Sequence, residues 1–115
     1  MSSCLVSVVM GVYNAKDSVH AAVCSILEQS LEDLEVIIIN DGSTDDTIEI
    51  LKSLQGKDSR VKVINQENQG LTRSLITGCK HAQGRYIARQ DADDVSPPDR
   101  LQEQVNALEA DASAV

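Results

Sequence analysis

The chain has 115 residues, enough for one domain with a buried core but small for an enzyme that handles two substrates. Its formal net charge of −8 opposes non-specific binding to nucleic acid or anionic lipid, although a divalent cation can still bring a diphosphate to an acidic surface. Two Tyr, no Phe and no Trp leave an aliphatic core and almost no aromatic platform for stacking single-stranded bases, so nucleic acid is not an expected partner.

The first apolar run, residues 5–12, is rich in β-branched residues and ends at Tyr13-Asn14, which predicts a strand entering a loop. Val19, Ala22, Val23, Ile26 and Leu27 then fall at i, i+3, i+4, i+7 and i+8, one helical face, with Asp17 or Ser18 as its cap. Residues 34–40 contain Val-Ile-Ile-Ile unbroken by polar residues, as expected of a parallel strand covered on both faces. Asp41-Gly-Ser-Thr-Asp45 is a loop, in which Ser43-x-x-Asp46 resembles a capping box for a helix marked by Ile48, Leu51 and Leu54. Residues 61–65 form a shorter third strand. Leu71, Leu75, Cys79 and Ala82 recur at about every fourth residue, predicting a third helix with these as its apolar stripe. A fourth strand, residues 86–89, runs into Gln90-Asp-Ala-Asp-Asp94. Ser96-Pro-Pro-Asp99 then reads as cap, first-turn proline and N-terminal acid of a last helix striped by Leu101, Val105 and Leu108.

This β-α-β-α-β-α-β-α order implies a Rossmann-like parallel sheet with helices on both faces, because parallel neighbours need crossover connections. Ligands of such sheets bind beyond the carboxyl ends of the strands, where the strand order reverses. Tyr13-Asn14, Asp41-Gly42 and Asp91-Ala-Asp93 all follow predicted strand ends, so their shared edge is the candidate site.

Asp91, Asp93 and Asp94 place three carboxylates within four residues, a repulsive arrangement that a cation or solvent relieves. Hard oxygen ligands of this kind suit Mg²⁺ or Mn²⁺; the plainer reading is a solvated loop, with Asp94 or Asp99 serving only as a cap. Asp41, just before a glycine turn, can accept a hydrogen bond from a base imide N–H. Tyr13 can stack on a flat base or simply pack at a rim. Arg73, one turn into the third helix, offers a planar donor fork to a diphosphate or base, or lies on a solvated face. Cys4, Cys24 and Cys79 are too scattered for a metal site and read as free thiols, which suits a reducing compartment. Apolar runs too short to span a bilayer and the lack of a basic leader give the same cytoplasmic expectation.

Together, Val6-Ser-Val-Val-Met-Gly-Val-Tyr-Asn14, Ile39-Asn-Asp-Gly-Ser-Thr-Asp-Asp-Thr47, Asn68-Gln-Gly-Leu-Thr-Arg-Ser-Leu75, Gly84-Arg-Tyr-Ile-Ala-Arg-Gln-Asp-Ala-Asp-Asp94 and Ser96-Pro-Pro-Asp-Arg-Leu101 resemble family 2 glycosyltransferases of the GT-A fold. The resemblance runs through nearly the whole chain in order and identifies residues 1–115 as an N-terminal nucleotide-sugar-binding portion. It implies an inverting transferase with a UDP- or dTDP-type sugar donor, a divalent cation (Mg or Mn) and a carbohydrate or lipid-linked acceptor. In its terms Asp41 binds the base with Tyr13 stacked nearby, Asp93 holds the metal, and Asp91 contacts the ribose or a metal-bound water. Ile76 departs from the pattern, standing where many relatives carry Asn. The family's general base lies well downstream of the acidic motif, so the chain is expected to be a piece of a longer enzyme, inactive alone and able to self-associate through an open sheet edge. The resemblance leans toward cell-surface polysaccharide synthesis, with the parent cytoplasmic or peripheral to the inner face of the membrane. A phospho-acceptor signalling domain would need an acidic pair after the first strand, where Tyr13-Asn14 stands. A dinucleotide oxidoreductase would need GxGxxG there. A non-catalytic nucleotide-sugar-binding fragment is the remaining alternative.

Overall fold

A computed structural model describes residues 4–110. Eight elements alternate along the chain: β1 (Cys4–Val12), α1 (Val19–Leu27), β2 (Leu34–Asp41), α2 (Thr47–Lys57), β3 (Val61–Gln66), α3 (Leu71–His81), β4 (Gly84–Arg89) and α4 (Arg100–Ala110). The strands form one parallel sheet in the order β3-β2-β1-β4, with Val8 opposite both Val36 and Ala88. The chain winds outward from β1 to β3 and then returns across the sheet to β4, so the winding reverses between β1 and β4.

The period-2 pleat divides the central strands between two different layers. Val6, Val8, Met10 and Val12 of β1, with Val36 and Ile38 of β2, face a core closed by Val19, Ala22, Val23 and Ile26 of α1, Leu51 and Leu54 of α2, and Leu101 and Val105 of α4. The alternate residues face α3. Every residue of β2 is buried, which is why its sequence shows no polar alternation.

The α3 layer departs from the sequence expectation. The buried residues of α3 are Ser74 and Gly78, whereas Leu71 is 51% exposed and Cys79 is also exposed. The expected stripe is therefore only partly covered, with Leu75 and Ala82 half-buried, and the fully buried contacts of the helix with the sheet are made by its smallest residues. A Cβ on Gly78 would lie 2.3 Å from Val9 Cγ1, and one on Gly11 would lie 3.2 Å from Ser74 Cβ. The close seating thus depends on the absence of side-chain volume.

Opposite the open end of the sheet, Glu35 supplies a buried charge. It accepts hydrogen bonds from Ser7 Oγ (2.6 Å), Lys62 Nζ (2.7 Å) and the Gln83 N–H (2.7 Å), joining β1, β3 and the turn into β4. Burial raises its pKa, but these donors outweigh burial and hold the carboxyl below the ordinary glutamate range.

Two predicted caps are also placed differently. Ser43 does not cap α2; Asp45 Oδ1 accepts from the Thr47 N–H (2.9 Å), and Ser43 Oγ accepts from the Asn14 N–H (3.0 Å). Both prolines precede α4 rather than occupying its first turn, since the helix begins at Arg100.

The glycines of α2 and α3 should respond oppositely to alanine. Gly56, with no neighbour within 4 Å of an added Cβ, should gain about 0.4–1 kcal/mol as Gly56→Ala through lower unfolded-chain entropy. Gly78→Ala should lose about 1–3 kcal/mol by overpacking against Val9. Urea denaturation of the two variants checks both signs.

Candidate functional site

The C-terminal ends of β1 and β4 flank the point where the winding reverses, and a cleft of about 300 Å³ opens there. Gly11, Tyr13, Asn14, Ala15 and Ser18 line one wall and Ala92 and Asp93 the other. Tyr13 is 53% exposed, leaving its ring available to a ligand rather than committed to the core.

Asn14 fixes the Tyr13 side of this cleft. It sits at φ 47, in the left-handed region that Asn tolerates better than most residues. From there its Oδ1 accepts from the Thr44 N–H (2.7 Å) and the Asp45 N–H (3.3 Å), while its own N–H goes to Ser43 Oγ. The loop after β1 is thereby tied to the loop after β2.

Asp41, one residue past the register pair Val12–Asn40, is only 4% exposed. Its Oδ1 accepts from Gln66 Nε2 (2.8 Å) and the Gln69 N–H (2.8 Å), and its Oδ2 accepts from the Gly70 N–H (2.9 Å). Burial pushes this carboxyl up, but the Gln66, Gln69, Gly70 and Ser74 donors together hold it below the ordinary aspartate range. Asp41 is therefore the clamp of the loop between β3 and α3. Gly42 beside it has φ 77, and a Cβ there would meet the Asn68 N–H nitrogen at 2.8 Å.

Asp91, Asp93 and Asp94 each offer one carboxylate oxygen within 4.8 Å of the others. Two oxygens bound to one Mg²⁺ or Mn²⁺ are at most about 4.2 Å apart, twice the usual ligand distance, so small side-chain rotations suffice to close this set on a cation. Asp91 also accepts from Arg89 Nη2 at 3.2 Å.

The fold thus brings Tyr13 and Asp93 to one cleft, with Asp91 adjacent in the acidic turn. Asp41 lies under the 67–70 loop, and Arg73 is exposed outside the cleft lining. Ile76 also faces elsewhere, on the outer side of α3 with Thr72, Leu75, Cys79 and Lys80. Asn14 and the Gln69-Gly70 donors lie within the segments that carry the family resemblance, but the sequence does not disclose their hydrogen-bonding roles; the available signal is an Asn two residues past a strand, a residue type that tolerates the left-handed region.

A model of the family described as "Glycosyl transferase family 2" matches residues 7–115. The chain belongs to that family. It is 42% identical over 111 residues to an uncharacterized glycosyltransferase of Haemophilus influenzae, covering 95% of this chain and 34% of that one. It is 38% identical over 108 residues to the Escherichia coli protein WfaP, named UDP-Glc:alpha-D-GlcNAc-diphosphoundecaprenol beta-1,3-glucosyltransferase, covering 93% and 42%. Among solved structures, S. aureus TarS in complex with UDP-GlcNAc superposes with a TM-score of 0.84 at 24% identity, covering 92% of this chain and 31% of that chain. The mannosyltransferase PcManGT from Pyrobaculum calidifontis, in complex with GDP-Man and Mn²⁺, gives 0.83 at 24% identity, covering 94% and 33%. These likenesses establish the GT-A transferase fold for this family member. The chain spans between a third and a half of the two curated relatives.

Asp41→Asn should cost about 1–3 kcal/mol at neutral pH, because an amide meets the inward N–H groups less favourably than a carboxylate. The lowered folded pKa gives a sign as well: this stability is complete above the unfolded aspartate pKa and is lost as pH falls through the folded value. The gap between wild type and Asp41→Asn should therefore narrow below about pH 4, as read by urea denaturation across pH.

Proposed function

We propose that this chain is the donor-binding part of a glycosyltransferase that moves a sugar from a nucleoside diphosphate to an acceptor hydroxyl, with inversion, in cell-surface polysaccharide synthesis. The observation that carries this reading is the cleft at the winding reversal, with an exposed tyrosine on one wall and an aspartate of the acidic turn on the other. The names of relatives such as WfaP, and those of the chondroitin and hyaluronan synthases of Pasteurella multocida, support the polysaccharide role.

The chain's own chemistry fits such a donor. Tyr13 offers a flat apolar face to a base. Asp41 Oδ2, which receives a single backbone N–H, is the acceptor for a base imide N–H of the uracil or thymine type. Asp93 and Asp91 are the ligands for Mg²⁺ or Mn²⁺, and Arg73, exposed on α3 outside the cleft lining, is the donor fork this reading assigns to the diphosphate. Charge that develops on the departing nucleoside diphosphate is what a bound cation neutralises. The electrostatics support a cation: a net charge of −8 and three carboxylates in the acidic turn disfavour a bare diphosphate at this cleft. The acceptor is a carbohydrate or lipid-linked hydroxyl. Among the described residues β4 has no neighbour on its outer edge, so self-association through that edge belongs to the same reading.

Calorimetric titration with UDP should show binding at least about tenfold tighter in millimolar Mn²⁺ than in chelator, a difference of about 1.4 kcal/mol. Asp93→Asn should abolish the difference. Asp46→Asn should preserve it, because Asp46 makes no side-chain cap bond and stands outside the cleft lining. Equal affinity with and without the metal would overturn the cation-bridged reading.

A further inference from the structure

Gln90 follows β4 directly, yet its side chain turns away from the acidic residues into the layer beside α1, where it is 3% exposed. A primary amide in that position must satisfy its donors and its acceptor internally, and here it does. Its Nε2 donates to the Asp94 carbonyl (2.8 Å) and lies 3.3 Å from both the Ala22 carbonyl and Ser25 Oγ. Its Oε1 accepts from the Ser96 hydroxyl and from Arg100 Nη1 (2.8 Å). Arg100 also reaches back with Nη2 to the Arg89 carbonyl at 2.8 Å.

The two carbonyls so held, Arg89 and Asp94, bracket the segment that carries Asp91 and Asp93. One is gripped by Arg100 and the other by Gln90, and the two grips are hydrogen-bonded to each other. Within the bracket the Asp94 N–H donates to the Asp91 carbonyl at 3.1 Å, closing a turn. The carboxylates of Asp91, Asp93 and Asp94 repel one another, so the segment gains by spreading unless its ends are fixed. From this geometry we infer that Gln90 and Arg100 are positioning residues that hold the acidic turn in its cation-binding shape, acting from the α1 and α4 side through the Asp94 and Arg89 backbone carbonyls. The inference rests on the cation reading of Asp91 and Asp93.

Gln29 provides an internal control. It is equally buried, at 4%, and equally engaged: its Nε2 donates to the Pro97 carbonyl (2.6 Å) and its Oε1 accepts from the Leu101 N–H (3.0 Å). With a further bond from Nε2 to the Ser25 carbonyl (3.1 Å), it anchors residues 97–101 at the start of α4, and its side chain bonds no atom of residues 90–95.

The test compares Gln90→Glu, Arg100→Lys and Gln29→Leu in the full chain. Gln90→Glu retains the acceptor for Arg100 but sets a carboxylate against the Asp94 carbonyl. Arg100→Lys cannot donate to Gln90 and the Arg89 carbonyl as a planar fork. Three quantities are read: melting temperature, Mn²⁺ affinity by electron paramagnetic resonance, and amide hydrogen exchange of residues 91–95. Gln90→Glu and Arg100→Lys are expected to weaken Mn²⁺ binding by about tenfold or more and to speed exchange in the turn. Gln29→Leu is expected to lower the melting temperature while leaving both readouts at wild-type values. If Gln90→Glu and Arg100→Lys leave turn exchange unchanged, or if Gln29→Leu loosens the turn equally, the positioning role is refuted. Should wild type and Asp93→Asn bind Mn²⁺ equally poorly, the cation reading fails, while the exchange data still decide whether Gln90 and Arg100 order the turn.

Discussion

The return of the chain from β3 to β4 constrains everything above the sheet. For the winding to reverse beside β1, α3 must cross β2 and β1 on the face that α1 and α2 leave open. A helix can lie that close only where the two surfaces lack volume, and Gly11, Ser74 and Gly78 supply that flatness. The reversal in turn parts the loops after β1 and β4, and the cleft with Tyr13 and Asp93 is the gap between them. An added methyl at Gly78 would therefore act far from the ligand yet on the same architecture.

The loops bordering this gap are held mainly by side-chain amides and short polar groups. Asn14 joins the loops after β1 and β2, Gln66 and the 69–70 amides close on Asp41, and Gln29 and Gln90 fasten the 90–100 segment to α1. None of the three helices α1, α2 and α3 has a side-chain hydrogen bond from its own N-cap residue. Local bonds from one residue further out, such as Asp45 to the Thr47 N–H, combine at these starts with contacts across loops, such as Asp41 to the Gly70 N–H. That arrangement stiffens a cleft whose walls contain few large side chains.

How far the sequence discloses this depends on the type of signal. The strands and the helix α1 are legible because their apolar periods match their burial: the run Val36–Ile39 at the centre of β2 is apolar without a break and buried without a break. In α3 the same logic misleads, since Leu71 and Cys79 of the apolar period are exposed and Leu75 is half-buried, while the fully buried positions are Ser and Gly, which a hydrophobic pattern does not register. Tyr13, Asp91 and Asp93 are legible as residues following strands. Arg73 is legible only as a residue type, and its place outside the cleft lining depends on how α3 is rotated. Gln90 and Arg100 are silent in the sequence because their importance lies in the backbone atoms they hold, ten residues apart.

The scarcity of aromatic side chains gives the molecule an optical property. The chain has no tryptophan and two tyrosines: Tyr13 stands half in solvent at the cleft, and Tyr86 packs beside α4, with its hydroxyl 3.4 Å from Glu109. Ultraviolet emission therefore comes from two phenols in unlike surroundings, with no indole to collect their excitation. A nucleobase laid against the exposed ring would quench that phenol and leave its partner emitting, so the protein carries a native, label-free reporter at the mouth of its own cleft.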